Sequence, residues 1–357
     1  MAISTDFQKK LDYYEQVYFG LDDPVPFKGD LKCYPVLVKD YYRFYNCFGS
    51  ISMDKTIKMV PDEYGRPQKV SNPKGIGQSY LEYLIEQMWD QETGPFITAQ
   101  IMDLFELVFH IKKGMYCSHC GKLVSYEDMF KELDSFVQEE VKKAQSIYEE
   151  TVKAQEEKTG AKVNDYNLPE AIYDKIVQTA RNDFFIQAGT CPECGEKMKD
   201  VFSIKEGNGL VSFVIKDVEI NSVDFDEFKA LVPRQNILDY DGDKYLDPDL
   251  KEELELKAEM QNKDYTSPTL EKQLVCVGVA TGYTLEYLKS ITMRKLSMML
   301  RSVDKMRTYY AQVQASMSGM VTFKEDPKHW IFSDDRKNIK DELTSLDNFE
   351  KKFSQVT

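Results

Sequence analysis

The sequence predicts an α+β protein, mainly helical, with small β-hairpins and a four-cysteine module that carries an inserted helical hairpin. Three observations carry this reading. Apolar residues recur at spacings of three and four over much of the chain, as in amphipathic helices. Short stretches alternate apolar and polar around Gly-containing turns, as in β-hairpins. Two C-x-x-C-G units, beginning at Cys117 and Cys191, flank a long segment with a helical pattern.

The elements follow in order. Phe7, Leu11, Tyr14, Val17 and Tyr18 predict a first helix, broken by Gly20 and by Asp22 to Pro24. Residues 25–38 predict a β-hairpin turning at Lys28-Gly29-Asp30. A short helix follows, with Tyr41, Phe44, Tyr45 and Phe48 on its aromatic face. Residues 50–77 hold Pro61, Gly65, Pro67, Pro73, Gly75 and Gly77 and predict loop. Amphipathic helices are expected near 78–91 and 96–111, separated by Gly94-Pro95.

Ser125, with Asp128 three residues on, predicts a helix start. The helix runs to about Lys158 with an apolar stripe of Phe130, Leu133, Val137, Val141, Ala144, Ile147 and Tyr148. Thr159-Gly160 ends it, and a second helix runs from about Pro169 to Phe185. From Ser125 to Gly160 there are ten acids and five lysines, so the outer surface of this pair is acidic. Residues 200–221 predict a hairpin: VFSIK, a turn at Gly207-Asn208-Gly209, then LVSFVIKDVEI as one strand. Further helices are expected near 224–231, 248–262, 270–281 and 292–316, with a short one near 339–353. The expected domains are 1–111, an N-terminal α+β domain; 112–200, the cysteine module; and 201–357, a β-hairpin with a helical C-terminal domain.

Composition bounds the function. At 357 residues and 42% apolar, the chain can form two or three cored domains and is not wholly disordered. Sixty acids against 46 bases give a net charge of −14. Phosphate contacts need Lys and Arg, so neither nucleic acid nor an anionic membrane is an expected partner of the whole surface. No run reaches the roughly 18 apolar residues of a membrane helix. The longest candidate, Phe96 to Ile111, contains Asp103, Glu106 and His110. The start MAISTDFQKK lacks the apolar core of a secretory signal, so synthesis in the cytoplasm is expected.

The strongest chemical signal is Cys117-Ser-His-Cys120-Gly121 with Cys191-Pro-Glu-Cys194-Gly195. Each two-residue spacer lets both sulfurs reach one ion, and two such units supply a tetrahedral four-thiolate site. The following Gly permits the tight knuckle turn. The spacing resembles a zinc ribbon whose connecting loop has grown to 70 residues to hold the helical hairpin. Four thiolates leave no open position, so the implied cofactor is a structural Zn²⁺ held by Cys117, Cys120, Cys191 and Cys194. His119 reads as an exposed loop residue. Lys112, Lys113, Lys122, Lys197 and Lys199 flank the knuckles, but Glu193, Glu196 and the acidic hairpin dilute them, so nucleic-acid binding is the lesser reading.

Other signals are weaker. Asp239-Tyr-Asp241-Gly-Asp243 begins like a calcium loop, but Lys244 and Leu250 stand where Gly and Glu are needed, so it reads as an acidic turn. Lys74-Gly75-Ile76-Gly77 lacks the context of a phosphate cradle and reads as a loop-to-helix junction. Three histidines leave no nucleophilic triad to assign, and no catalytic residue is expected. His110 reads as packed on its helix, and His329 as part of a docking tail. Cys33, Cys47 and Cys276 read as buried thiols. From Lys289 to Arg307 one acid accompanies six bases, Lys289, Arg294, Lys295, Arg301, Lys305 and Arg307. They interleave with Met293, Leu296, Met299, Leu300, Val303 and Met306, which suits a core helix with a basic side or a surface for docking acidic partners, a second copy included.

KCYPVLVKDYYRFYN (32–46), LVCVGVATGYTLEYLKSITMRKLSMMLRSVD (274–304) and YYAQVQASMSGMVTFKEDPKHWIF (309–332) resemble structural-region proteins of tailed bacteriophages and prophages. The opening hairpin followed by PVLVKDYY is similar to baseplate-hub and tail-assembly proteins of contractile phages. The resemblance implies a non-enzymatic virion protein of the tail or baseplate, with other tail or baseplate proteins as partners and no membrane. It equally admits an assembly factor not retained in the particle. The rival reading is a zinc-ribbon transcription or packaging factor.

Overall fold

The structure is a computed structural model that describes residues 5–61, 64, 66–160, 167–207, 210–238, 240, 268–318 and 327–332. They fall in two compact units, one within Met1–Gly242 and one within Asp243–Thr357. The calcium-like turn at 239–250 and the helices expected near 248–262 and 339–353 lie wholly or largely outside the described residues.

In the first unit, α1 spans Thr5–Val17 and a 3-10 turn Phe19–Leu21. Strands β1 (Val25–Lys28) and β2 (Leu31–Cys33) pair antiparallel around Gly29, whose φ of +56° suits a residue without Cβ. Helix α2 covers Tyr41–Ser52. The stretch expected to be loop contains a hairpin, β3 (Ile57–Pro61) with β4 (Pro67–Ser71). Its prolines stand at the turn-side ends of both strands, where a missing N–H disrupts the ladder least. A five-residue helix α3 (Pro73–Gly77) fills the expected junction.

Helix α4 (Tyr80–Met88) starts at a full capping box: Ser79 accepts the Glu82 amide, and Glu82 accepts the Ser79 amide. Gly94-Pro95 does not lie between helices but opens α5 (Gly94–Phe109). A Cβ on Gly94 would stand 2.3 Å from the Met88 carbonyl, so this close approach requires glycine.

Strands β5 (Gly114–Tyr116) and β6 (Leu123–Ser125) precede the helical hairpin, α6 (Tyr126–Thr159) and α7 (Glu170–Ala188). After β7 (Lys199–Asp200) come β8 (Phe202–Gly207), β9 (Leu210–Ile215), β10 (Val218–Ile220) and α8 (Ser222–Asn236). The single strand expected over 210–220 is two, because the chain reverses at Lys216, where φ is +54°, and β10 returns on β9.

The core of this unit is aromatic. Phe105 lies 5.3 Å from Phe213 and 5.5 Å from Phe228 between ring centroids, with Phe225 5.7 Å from Phe213. All four are fully buried. These contacts explain a correction to the domain plan. Residues 201–236 were expected with the C-terminal helices, but Phe213, Phe225 and Phe228 complete the core around α5.

The second unit holds α9 (Leu270–Thr281), α10 (Leu285–Ser290), α11 (Met293–Met317) and a 3-10 turn at Trp330–Phe332. Thr269, Thr284 and Thr292 cap the three helices through their side chains. Among its described residues, Leu274, Val277, Leu288, Ile291, Met293, Leu296 and Val303 are the buried ones of apolar type. His329 meets the ring of Tyr309 at 5.1 Å, seating the 3-10 turn beside α11. Among the described residues no helix is long and apolar enough to cross a membrane.

Candidate metal centre

The module grows out of α5. His110 ends that helix at φ +54° and stacks on Tyr34 with centroids 4.0 Å apart, rather than packing along the helix. Strand β5 then pairs with β6 on one side and β7 on the other. A Cβ on Gly114 would stand 2.1 Å from the Val124 carbonyl, so the pair closes only on glycine. The Val201 amide donates to the Gly114 carbonyl and the Tyr116 hydroxyl donates to Asp217 at 2.6 Å, tying the module to the β8–β10 sheet.

The two knuckles repeat one hydrogen-bond pattern. The Gly121 amide donates to the Cys117 carbonyl at 2.9 Å, and the Cys117 amide donates to the Lys122 carbonyl at 2.8 Å. In the second knuckle Gly195 donates to Cys191 at 2.9 Å, and Cys191 donates to Glu196 at 2.8 Å. Gly121 and Gly195 have φ of +77° and +73°.

The four sulfurs of Cys117, Cys120, Cys191 and Cys194 lie within 4.8 Å of one another. Cys117–Cys194 measures 3.4 Å, Cys120–Cys191 3.5 Å and Cys120–Cys194 3.8 Å. Sulfurs at zinc's bond length of about 2.3 Å occupy corners of a tetrahedron with edges of about 3.8 Å. The residues therefore fit a tetrahedral ion, and four cysteines positioned to bind a metal are present.

Backbone N–H groups aim at the sulfurs. Burial raises the Cys191 thiol, but the amides of Glu193 and Cys194 and the neighbouring thiols outweigh it and bring it down to about 7. The amides of Lys122 and Glu196 pull the Cys120 and Cys194 thiols down, but burial and hydrogen bonds with the neighbouring thiols outweigh them and leave both raised, Cys194 to about 12. Thiolates are the metal-binding form, so the backbone amides favour an ion, most clearly at Cys191.

Cys117 and Cys191 are buried, against Met198, Met115 and Val124; Cys120 and Cys194 are exposed. His119 is exposed, as expected. Lys122 and Glu193 form a 2.9 Å ion pair between the knuckles, an exposed contact worth little by itself. The sequence reading did not identify Met115, Val124 and Met198, because an apolar residue beside a knuckle looks like any other strand residue.

The hairpin stands on this clip. Ser125 caps α6, accepting the Asp128 amide at 3.1 Å and donating to its carboxylate at 2.6 Å. Met129, Leu133 and Phe184 form its lower core, and Val152 and Ala180 are also buried. The expected stripe holds at Leu133 but not at Phe130 and Ile147, which are 55% and 65% exposed. A single partner helix covers a narrower strip than the sequence stripe spans.

Of the other expected site residues, Lys289 and Arg307 are exposed, while Arg294, Lys295, Arg301 and Lys305 are half-buried and each already has an interaction. Cys33 and Cys47 are buried, and burial pushes both thiols up, Cys47 to about 11. Cys276 is exposed, contrary to expectation: Leu274 and Val277 turn α9 inward and leave Cys276 on the outer side. Comparison with family models, with curated proteins and with solved structures finds nothing that matches this chain.

Proposed function

We propose that this chain is a non-enzymatic structural component of a phage tail or baseplate, in which a Zn²⁺ fixes a helical hairpin for docking to neighbouring proteins. The observation that carries the mechanism is the four-thiolate cluster at the base of α6 and α7. The ion would join β5–β6 to the segment after α7, holding both feet of the hairpin. Four protein ligands leave no position for substrate, so the ion's contribution is geometric. The acidic surface of α6, with Glu139, Glu140, Glu149 and Glu150, suits a basic partner surface.

The tail or baseplate assignment rests on the resemblance of residues 32–46, 274–304 and 309–332. Quantitative mass spectrometry of purified particles, beside a pull-down from infected cells, tests it. Stoichiometric presence with tail proteins supports a virion role. Absence from particles with capture of tail proteins makes the chain an assembly factor. Recovery of polymerase subunits or nucleic acid instead overturns both.

A further inference from the structure

Three sulfur contacts, at 3.4, 3.5 and 3.8 Å, run from one knuckle to the other. The two shorter of these three contacts share no residue: Cys117 with Cys194, and Cys120 with Cys191. Each joins a buried sulfur to an exposed one. An oxidant therefore reaches one member of each pair directly, while the other waits within short range in the core.

We infer that the metal clip is convertible into a disulfide clip: oxidation releases the ion and links Cys117 to Cys194 and Cys120 to Cys191, leaving the feet of the hairpin joined. The inference rests on the metal reading above and adds the response of that site to peroxide. In the first step an exposed thiolate attacks one peroxide oxygen and becomes a sulfenic acid, and hydroxide leaves. In the second step the buried thiolate across the knuckle attacks that sulfenic sulfur, the S–S bond forms and a second hydroxide leaves. Two pairs consume two peroxides and release one divalent ion and four hydroxides. Oxidation within a knuckle, Cys117 to Cys120 and Cys191 to Cys194, would instead separate the two feet. A protein made in a reducing cytoplasm and carried into oxidising medium would keep its hairpin fixed through the exchange.

The experiment titrates the metal-loaded full chain with hydrogen peroxide. Released metal is followed with a chromophoric chelator, and disulfides are mapped by mass spectrometry of unreduced peptides. The expected result is one ion released per two peroxides, with the Cys117/Cys120 peptide joined to the Cys191/Cys194 peptide. The double variant Cys117→Ser, Cys194→Ser should still form the Cys120–Cys191 link. Separate peptides with internal disulfides, or sulfinic acids without disulfide, overturn the inference. If the starting protein binds no metal, the metal reading fails, and the same map on metal-free protein still decides the pairing.

Discussion

Gly121 and Gly195 hold the same place in the two knuckles: each has a left-handed φ, and each donates its amide to the carbonyl of the first cysteine of its own knuckle at 2.9 Å. Neither has a neighbour within 4 Å of where a Cβ would stand. Glycine is needed here for conformation rather than for space. Replacing either with Ala should cost about 1–2 kcal/mol through the left-handed backbone alone, and Gly195→Asn should cost less. Metal affinity should fall by roughly tenfold or more without being abolished. Competition with a chromophoric chelator reads this directly.

Removing a ligand should have a larger effect. Wild-type protein should carry one zinc per chain by elemental analysis, and Cys191→Ser should carry little or none. Structural zinc contributes on the order of 10 kcal/mol in small zinc modules, so chelation should open the base of α6 and α7 to protease while the Phe105 core stays folded. Metal-free wild type with an unchanged protease pattern would contradict the clip.

Ser125 joins the clip to the hairpin. Its hydroxyl both accepts the Asp128 amide and donates to the Asp128 carboxylate, and the residue is buried. Ser125→Ala should destabilise α6 by about 1 kcal/mol. Hydrogen exchange should show the loss confined to the first turns of α6.

Phe105 makes the centre of the first unit, with Phe109, Phe202, Phe213 and Phe228 around it. Phe105→Ala should cost about 3–5 kcal/mol. Because Phe202 and Phe213 belong to the sheet that anchors the metal module, the variant should also loosen that anchor. Chemical denaturation of wild type and variant measures the cost.

Lys229 sets a pH dependence. Its amine lies 3.5 Å above the Tyr80 ring centroid, and burial lowers it to about 8 against the opposing pull of Asp226. The folded chain thus loses this proton near pH 8, whereas the unfolded chain keeps it to about 10.5. Between those values the unfolded state binds more protons, so this group makes stability rise with pH. The rise should be on the order of 1–2 kcal/mol, reduced from the full linkage value because the amine keeps some water contact. Denaturation at pH 7 to 10 should show it in wild type and not in Lys229→Met.

The four-cysteine cluster was legible because cysteine pairs separated by two residues have few other uses outside a redox fold, and glycine after each pair states the turn. The start of α6 was legible at Ser125, whose side chain caps it, whereas the caps Ser79 and Thr292 were seen only in the structure. The β3–β4 hairpin was not, because its prolines read as loop although they stand at strand ends. The reversal at Lys216 was hidden too, since a lysine with positive φ carries no compositional mark.

By itself the sequence determined the two knuckles, the long hairpin between them and the mainly helical character, since these follow from local spacing, capping and turn chemistry. Tertiary structure alone decided the rest. It placed Phe213, Phe225 and Phe228 around Phe105 and so assigned residues 201–236 to the first unit. It left Phe130, Ile147 and Cys276 exposed, because burial depends on which neighbour covers a face and not on how apolar that face is. It also set the cross-knuckle sulfur pairs, since distances between segments 70 residues apart are fixed by packing of the whole unit and not by the chain between them.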